Sequence, residues 1–194
     1  KILLAAALTA CAAPVFAEPT TVLKVQGLLT NASCTPSFSE ADNTINYGPI
    51  ALNVLSTTDV NQIGHGNIDF TIQCASATKV SWSFTDAKAS SRANIVVEDA
   101  RMDGSAGVDA TNARFGVGLT AGNVKIGNYG MYIDNTSVTA DGNLVDAISG
   151  SSRNGVIGWS KFTTGESMSA DTYNYSVATT GSVEPLAITK VTFP

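Results

Sequence analysis

Three cysteines and a single histidine are the side chains of this 194-residue chain best suited to covalent or metal chemistry. Cys34 and Cys74 lie 40 positions apart, and Cys11 sits in an apolar run near the start. His65 lies in Gly64-His65-Gly66, a turn-like setting. It comes with neither a Gly-x-Ser-x-Gly elbow nor paired metal-ligand spacing, so it reads as an exposed loop residue. The acidic run Glu98-Asp99-Ala100-Arg101-Met102-Asp103-Gly104 lacks the oxygen-ligand spacing of an EF-hand and reads as a solvated loop. A pair of separated carboxylates could serve glycoside hydrolysis, but no pairing is favoured over another. Trp82 alternates with Val80 and Phe84 and reads as core, whereas Trp159 is a possible ligand-facing residue. No catalytic residue, metal site or cofactor is expected, and the chain does not read as an enzyme.

The start of the chain reads as targeting. Lys1 is followed by an almost wholly apolar run from Ile2 to Ala13 and then by Pro14-Val15-Phe16-Ala17 before Glu18. A positive start, an apolar run of roughly 7–15 residues and small residues at the cleavage positions mark a secretory signal peptide. We therefore expect residues 1–17 to be a signal peptide lacking its initiator, cleaved after Ala17. Leu8-Thr9-Ala10-Cys11 offers a rival, since it resembles a bacterial lipobox. Cleavage after Ala17 discards Cys11 and leaves two cysteines in an oxidising compartment, where disulfides persist. Pairing of Cys34 with Cys74 is then expected, with two free buried thiols as the alternative.

Charged residues make up only 14% of the chain against about 25% in an average protein, and the net charge is −5. Lysines and arginines are scattered singly, so no basic cluster is available to neutralise phosphates, and a nucleic-acid partner is not expected. From Glu18 onward the apolar period is two, with turn residues between the runs. Leu23, Val25, Gly27 and Leu29 share one face; Ile45 and Tyr47 alternate before Gly48-Pro49; and Ile68, Phe70, Ile72 and Cys74 share another. Val80, Trp82 and Phe84 follow, then Phe115, Val117 and Leu119, Val124 and Ile126 before a Gly127-Asn128 turn, and Tyr129, Met131 and Ile133. Tyr173, Tyr175 and Val177 come next, and Leu186, Ile188, Val191 and Phe193 last. Ala100 to Asn112 and Thr136 to Asn154 read as long loops. Short strands with turns between them predict one all-β sandwich or barrel over residues 18–194.

Leu23 to Cys34 resembles the first strand of chaperone–usher pilins, in which a glycine precedes the first cysteine by seven positions and an Asn-Ala-small-Cys ending is common. Thr35-Pro36-Ser37-Phe38-Ser39, Ile45 to Ile50 and Ile68 to Cys74 follow in the order seen there. Ala77 to Val80, Phe115 to Leu119 and Lys125 to Tyr129 look most like a fimbrial-like branch catalogued as a domain of unknown function. The resemblance spans Leu23 to Ile133 and is looser beyond.

It implies an incomplete immunoglobulin-like β-sandwich, the pilin fold, with the Cys34–Cys74 disulfide tying the first strand to the strand that ends at Cys74. It implies a structural or minor subunit of a bacterial surface fimbria, exported through the periplasm to the cell surface and serving cell adhesion or biofilm formation. The partners it implies are a periplasmic pilus chaperone, an outer-membrane usher and neighbouring fimbrial subunits, joined by strand addition. Residues 18–26 would be the donated extension, with Thr21, Leu23, Val25 and Gly27 on its inserting face. Pilins of this type end in an alternating strand with a tyrosine next to last; this chain stops at Val191-Thr192-Phe193-Pro194, so we expect it to be a piece of a longer protein. The alternative is a tip adhesin or lectin-like domain that binds a host or surface glycan through Trp159. The sequons at Asn31 and Asn135 matter only in a eukaryotic secretory route, which the resemblance makes inapplicable.

Overall fold

The computed structural model describes residues 33–39, 44–96, 113–150, 158–163 and 166–194. The expected signal peptide and the donor-strand residues Thr21, Leu23, Val25 and Gly27 lie outside them. The described chain is all-β, with nine strands and two short 3-10 turns at Leu52–Val54 and Ala89–Ser91. The strands are β1 Cys34–Phe38, β2 Phe70–Lys79, β3 Phe115–Gly116, β4 Asn128–Tyr129, β5 Thr139–Ala140, β6 Asn143–Gly150, β7 Trp159–Lys161, β8 Asn174–Thr179 and β9 Ala187–Phe193.

Seven of them form one antiparallel sheet in the order β1-β2-β9-β5-β6-β7, with β8 on the second edge of β6, while β3 and β4 form a separate ribbon. In β2 the alternation works as read from the sequence: Ile72 and Cys74 are buried and Gln73 between them is exposed. The β2–β9 ladder slips between Gln73 and Thr78, where a bulge interrupts the pairing. The core gathers Ile72 and Cys74 from β2, Val145 and Ala147 from β6, Tyr175 and Val177 from β8, and Ile188, Val191 and Phe193 from β9. Trp82 and Phe84 pack against it as expected, and Phe70 holds Trp82, Phe84, Phe38 and Phe193 within ring-centroid distances of 5.2 to 6.2 Å.

Four expectations are corrected. Thr136 to Asn154 is not a long loop, because β5 and the whole of β6 lie within it. Asp141 and Gly142 take φ of 49° and 82°, the left-handed pair that a two-residue type I′ hairpin needs, and Ala140 pairs with Asn143 across them. The strand was hidden because its buried positions include Ala147, Gly150 and the charged Asp146, which blur the apolar alternation. Ile45 and Tyr47 do not join a ladder; they lie in an irregular stretch and are 37% and 48% exposed. Gly127-Asn128 does not close a turn, since Asn128 opens β4 opposite Gly116, and the turn lies instead at Thr120–Val124. Phe115, Val117 and Leu119 do not share a buried face: Phe115 is buried while the other two are about half exposed.

Candidate interaction surface

Cys34 and Cys74 form a disulfide with their Cα atoms 4.0 Å apart. They stand directly opposite each other in the β1–β2 register. The same ladder is closed at its far end by Ser39, whose N–H donates to the Asp69 carbonyl and whose Oγ accepts from the Asp69 N–H, each at 3.0 Å. Staple and clasp together hold the two ends of the long excursion between β1 and β2.

That excursion, described from Thr44 to Asp69, carries Ile45, Tyr47, Ile50, Val54, Val60 and Ile63, all exposed. Val54 and Val60 are 72% and 65% accessible. Its polar residues are occupied locally: the Ser56 N–H donates to Asn61 Oδ1 at 2.7 Å, and Ser56 Oγ donates to Asp59 Oδ2 at 2.9 Å. His65 is exposed here, as expected. A second apolar surface is the β3–β4 ribbon, where Val117, Leu119, Val124 and Ile126 project into solvent. So many exposed large apolar side chains in two segments make these the candidate interaction surfaces of the described chain. Between β1, β2 and the segment after it runs a groove of about 330 Å³, lined by Pro36, Phe70, Ile72, Val80 and Trp82.

The ribbon is anchored by a carboxylate that sequence reading missed. Asp86 accepts from Arg92 Nε at 2.5 Å, from the Lys88 N–H at 2.8 Å and from the Gly116 N–H at 3.0 Å. Burial alone would raise the Asp86 pKa, but Arg92 and the two amides outweigh it and hold the carboxyl below its ordinary value. Gly116 is required at that point, because a Cβ there would collide with the Lys88 carbonyl oxygen and Ser91 Oγ. A second clasp joins the β5–β6 turn to β9: Asp141 accepts from Thr189 Oγ1 at 2.5 Å and from the Lys190 N–H at 2.8 Å. The Thr189 hydroxyl first, then the Thr189 and Lys190 amides, lower the Asp141 pKa. In β6, Asp146 is lowered by the Gly181 amide and then by Lys161, whose Nζ is 2.8 Å away. Each of these carboxylates is engaged in a structural contact between segments distant in sequence.

Trp159 stands on β7 opposite Gly150 and is half-buried, with Ser160 and Lys161 beyond it exposed. It does not line the groove. Among the described residues no group of three or more His, Cys, Asp or Glu could hold a metal ion.

A family model described as a protein of unknown function, DUF1120, matches residues 23–130. The chain belongs to the DUF1120 family. The match covers almost the stretch, Leu23 to Ile133, over which the residues resemble a branch of unknown function. The DUF1120 chain is also similar to the uncharacterized protein YhcF of Escherichia coli strain K12, with 28% identity over 184 residues, 89% of this chain and 77% of YhcF. No solved structure matches it. Within the DUF1120 match fall the two disulfide-bonded cysteines, the apolar excursion and the β3–β4 ribbon.

Proposed function

We propose that this chain is a structural or minor subunit of a bacterial surface fimbria, built on an incomplete immunoglobulin-like sandwich and assembled by strand exchange. The observation that carries the reading is the Cys34–Cys74 disulfide across adjacent antiparallel strands of an all-β sheet. The pilin resemblance implies this pairing, although β2 runs on past Cys74 to Lys79 rather than ending there. The exposed apolar side chains of the excursion and the ribbon support it, since a subunit that meets neighbours keeps such surfaces uncovered until assembly. In this reading a periplasmic chaperone covers the subunit first, an outer-membrane usher receives it, and a neighbouring subunit then supplies a strand. Left alone, such a subunit is prone to aggregate through its open main chain.

The test is expression of the exported protein with and without a periplasmic pilus chaperone from the same genome. The expected result is poor solubility alone and a one-to-one complex with the chaperone. A stable, soluble monomer obtained with neither chaperone nor supplied donor strand overturns the reading.

A further inference from the structure

The edge strand β1 carries a proline at its centre, and its register fixes which way that residue's nitrogen faces. In an antiparallel ladder, residues alternate between hydrogen-bonded pairs and narrow pairs whose main-chain groups point away from the partner. Two bonds set the phase: the Ala75 N–H donates to the Ser33 carbonyl, and the Ser39 N–H donates to the Asp69 carbonyl. Residues 33 and 39 therefore turn their main chain toward β2, as do Thr35 and Ser37 between them. Cys34, Pro36 and Phe38, opposite Cys74, Ile72 and Phe70, occupy the narrow pairs and turn theirs outward. The disulfide sits at one such pair, where Cα atoms come closest.

Pro36 thus costs the β1–β2 ladder no hydrogen bond, because its missing N–H would have pointed outward. Among the described residues no strand pairs with that outer side, and Thr35 to Phe38 are all exposed. An exposed edge of this kind invites another chain to add a strand. We propose that Pro36 closes the β1 edge to strand addition, so that any chain joining this protein by main-chain pairing does so elsewhere. The missing donor falls at the middle of the five-residue strand, and the ring stands where an incoming carbonyl would have to approach. This inference goes beyond the fimbrial reading and does not depend on it.

Sedimentation velocity on the oxidised full chain, alone or held in solution by its chaperone, compares the parent with Pro36→Thr in the same state. The threonine restores an outward N–H, and the variant is expected to associate with rising concentration until its average mass roughly doubles or more. Adding Phe38→Lys, which places a charge on the same edge, should return the parent's distribution. A Pro36→Thr variant with the parent's distribution at every concentration overturns the proposal. Amide exchange on the parent gives an answer that needs no variant: Ser37 should exchange at least about 100-fold more slowly than Phe38. Equal rates at the two amides overturn it as well.

Discussion

The β5–β6 hairpin and the excursion between β1 and β2 invert what their sequences suggest. The excursion reads Ile45-Asn46-Tyr47, yet six of its large apolar residues are exposed and Leu55 and Ile68 are only half-buried. The hairpin reads Asn143-Leu144-Val145-Asp146-Ala147-Ile148-Ser149-Gly150, with a charge in its middle, yet Val145 to Ile148 are all buried. The difference lies in neighbours. Strand β6 has β5 and then β7 along one edge and β8 along the other, and its small residues let those strands close over it. The excursion leaves the sheet at Ser39 and returns at Asp69, and among the described residues it joins no strand ladder. Alternation reports a capacity to be buried; burial itself requires a second surface.

The disulfide offers the largest test of this contrast, because it holds β1 and one end of the excursion to the sheet. Closing a loop of 40 residues contributes about 4 kcal/mol on the chain-entropy account. Cys34→Ser and Cys74→Ser should therefore lower stability by similar amounts and reduce periplasmic abundance alike. A harmless Cys34→Ser beside a damaging Cys74→Ser would show that the bond does not hold the excursion in solution. Denaturant melts of the two variants under oxidising conditions make the comparison.

Next in size is a pair of truncations, one on each side of the contrast. Ile148 is fully buried in β6, and Ile148→Ala should cost roughly 2–5 kcal/mol through lost burial and the cavity left behind. Val60 is 65% exposed in the excursion, and Val60→Ala should stay within about 0.5 kcal/mol in the isolated subunit. Equal costs would mean that the excursion is packed as tightly as the hairpin. In an assembled fibre the order could narrow only if a neighbour covers Val60, which makes the same pair a probe of the fimbrial reading.

Much of the sheet was legible in the sequence. β2 kept its period of two as far as Cys74 because one face lies on the core, β9 broke phase at Thr189-Lys190 where the ladder slips, and Trp82 packs against the core as its spacing with Val80 and Phe84 implied. The cysteines were legible because oxidation leaves few pairings. What escaped were features set by side chains meeting across long separations. Asp86 reaches Gly116, and Asp141 reaches Thr189, through contacts that no local period records. Pro36 in β1 also reads as a strand breaker, and only the register shows that its nitrogen faces away from the ladder. One missed signal was local: the Asp141-Gly142 pair between Ala140 and Asn143 is the turn chemistry of a tight hairpin.

That turn gives the finest test, since it separates the shape of the hairpin from its charge. Asp141→Asn keeps a residue that tolerates the left-handed conformation while removing the carboxylate that holds Thr189 and Lys190. The folded state lowers the Asp141 pKa, so its contribution to stability is present above the unfolded carboxyl value and is lost as pH falls through the lowered folded value. Parent and Asp141→Asn should differ in thermal midpoint at neutral pH and converge in strong acid, where the parent's carboxyl is itself neutral. The parent should be the more stable of the two wherever they differ. A gap that persists unchanged into acid would assign the effect to the turn rather than to the charge. The hairpin would then owe its place against β9 to backbone conformation, and the clasp between Asp141 and Thr189 would be a consequence of the fold instead of one of its causes.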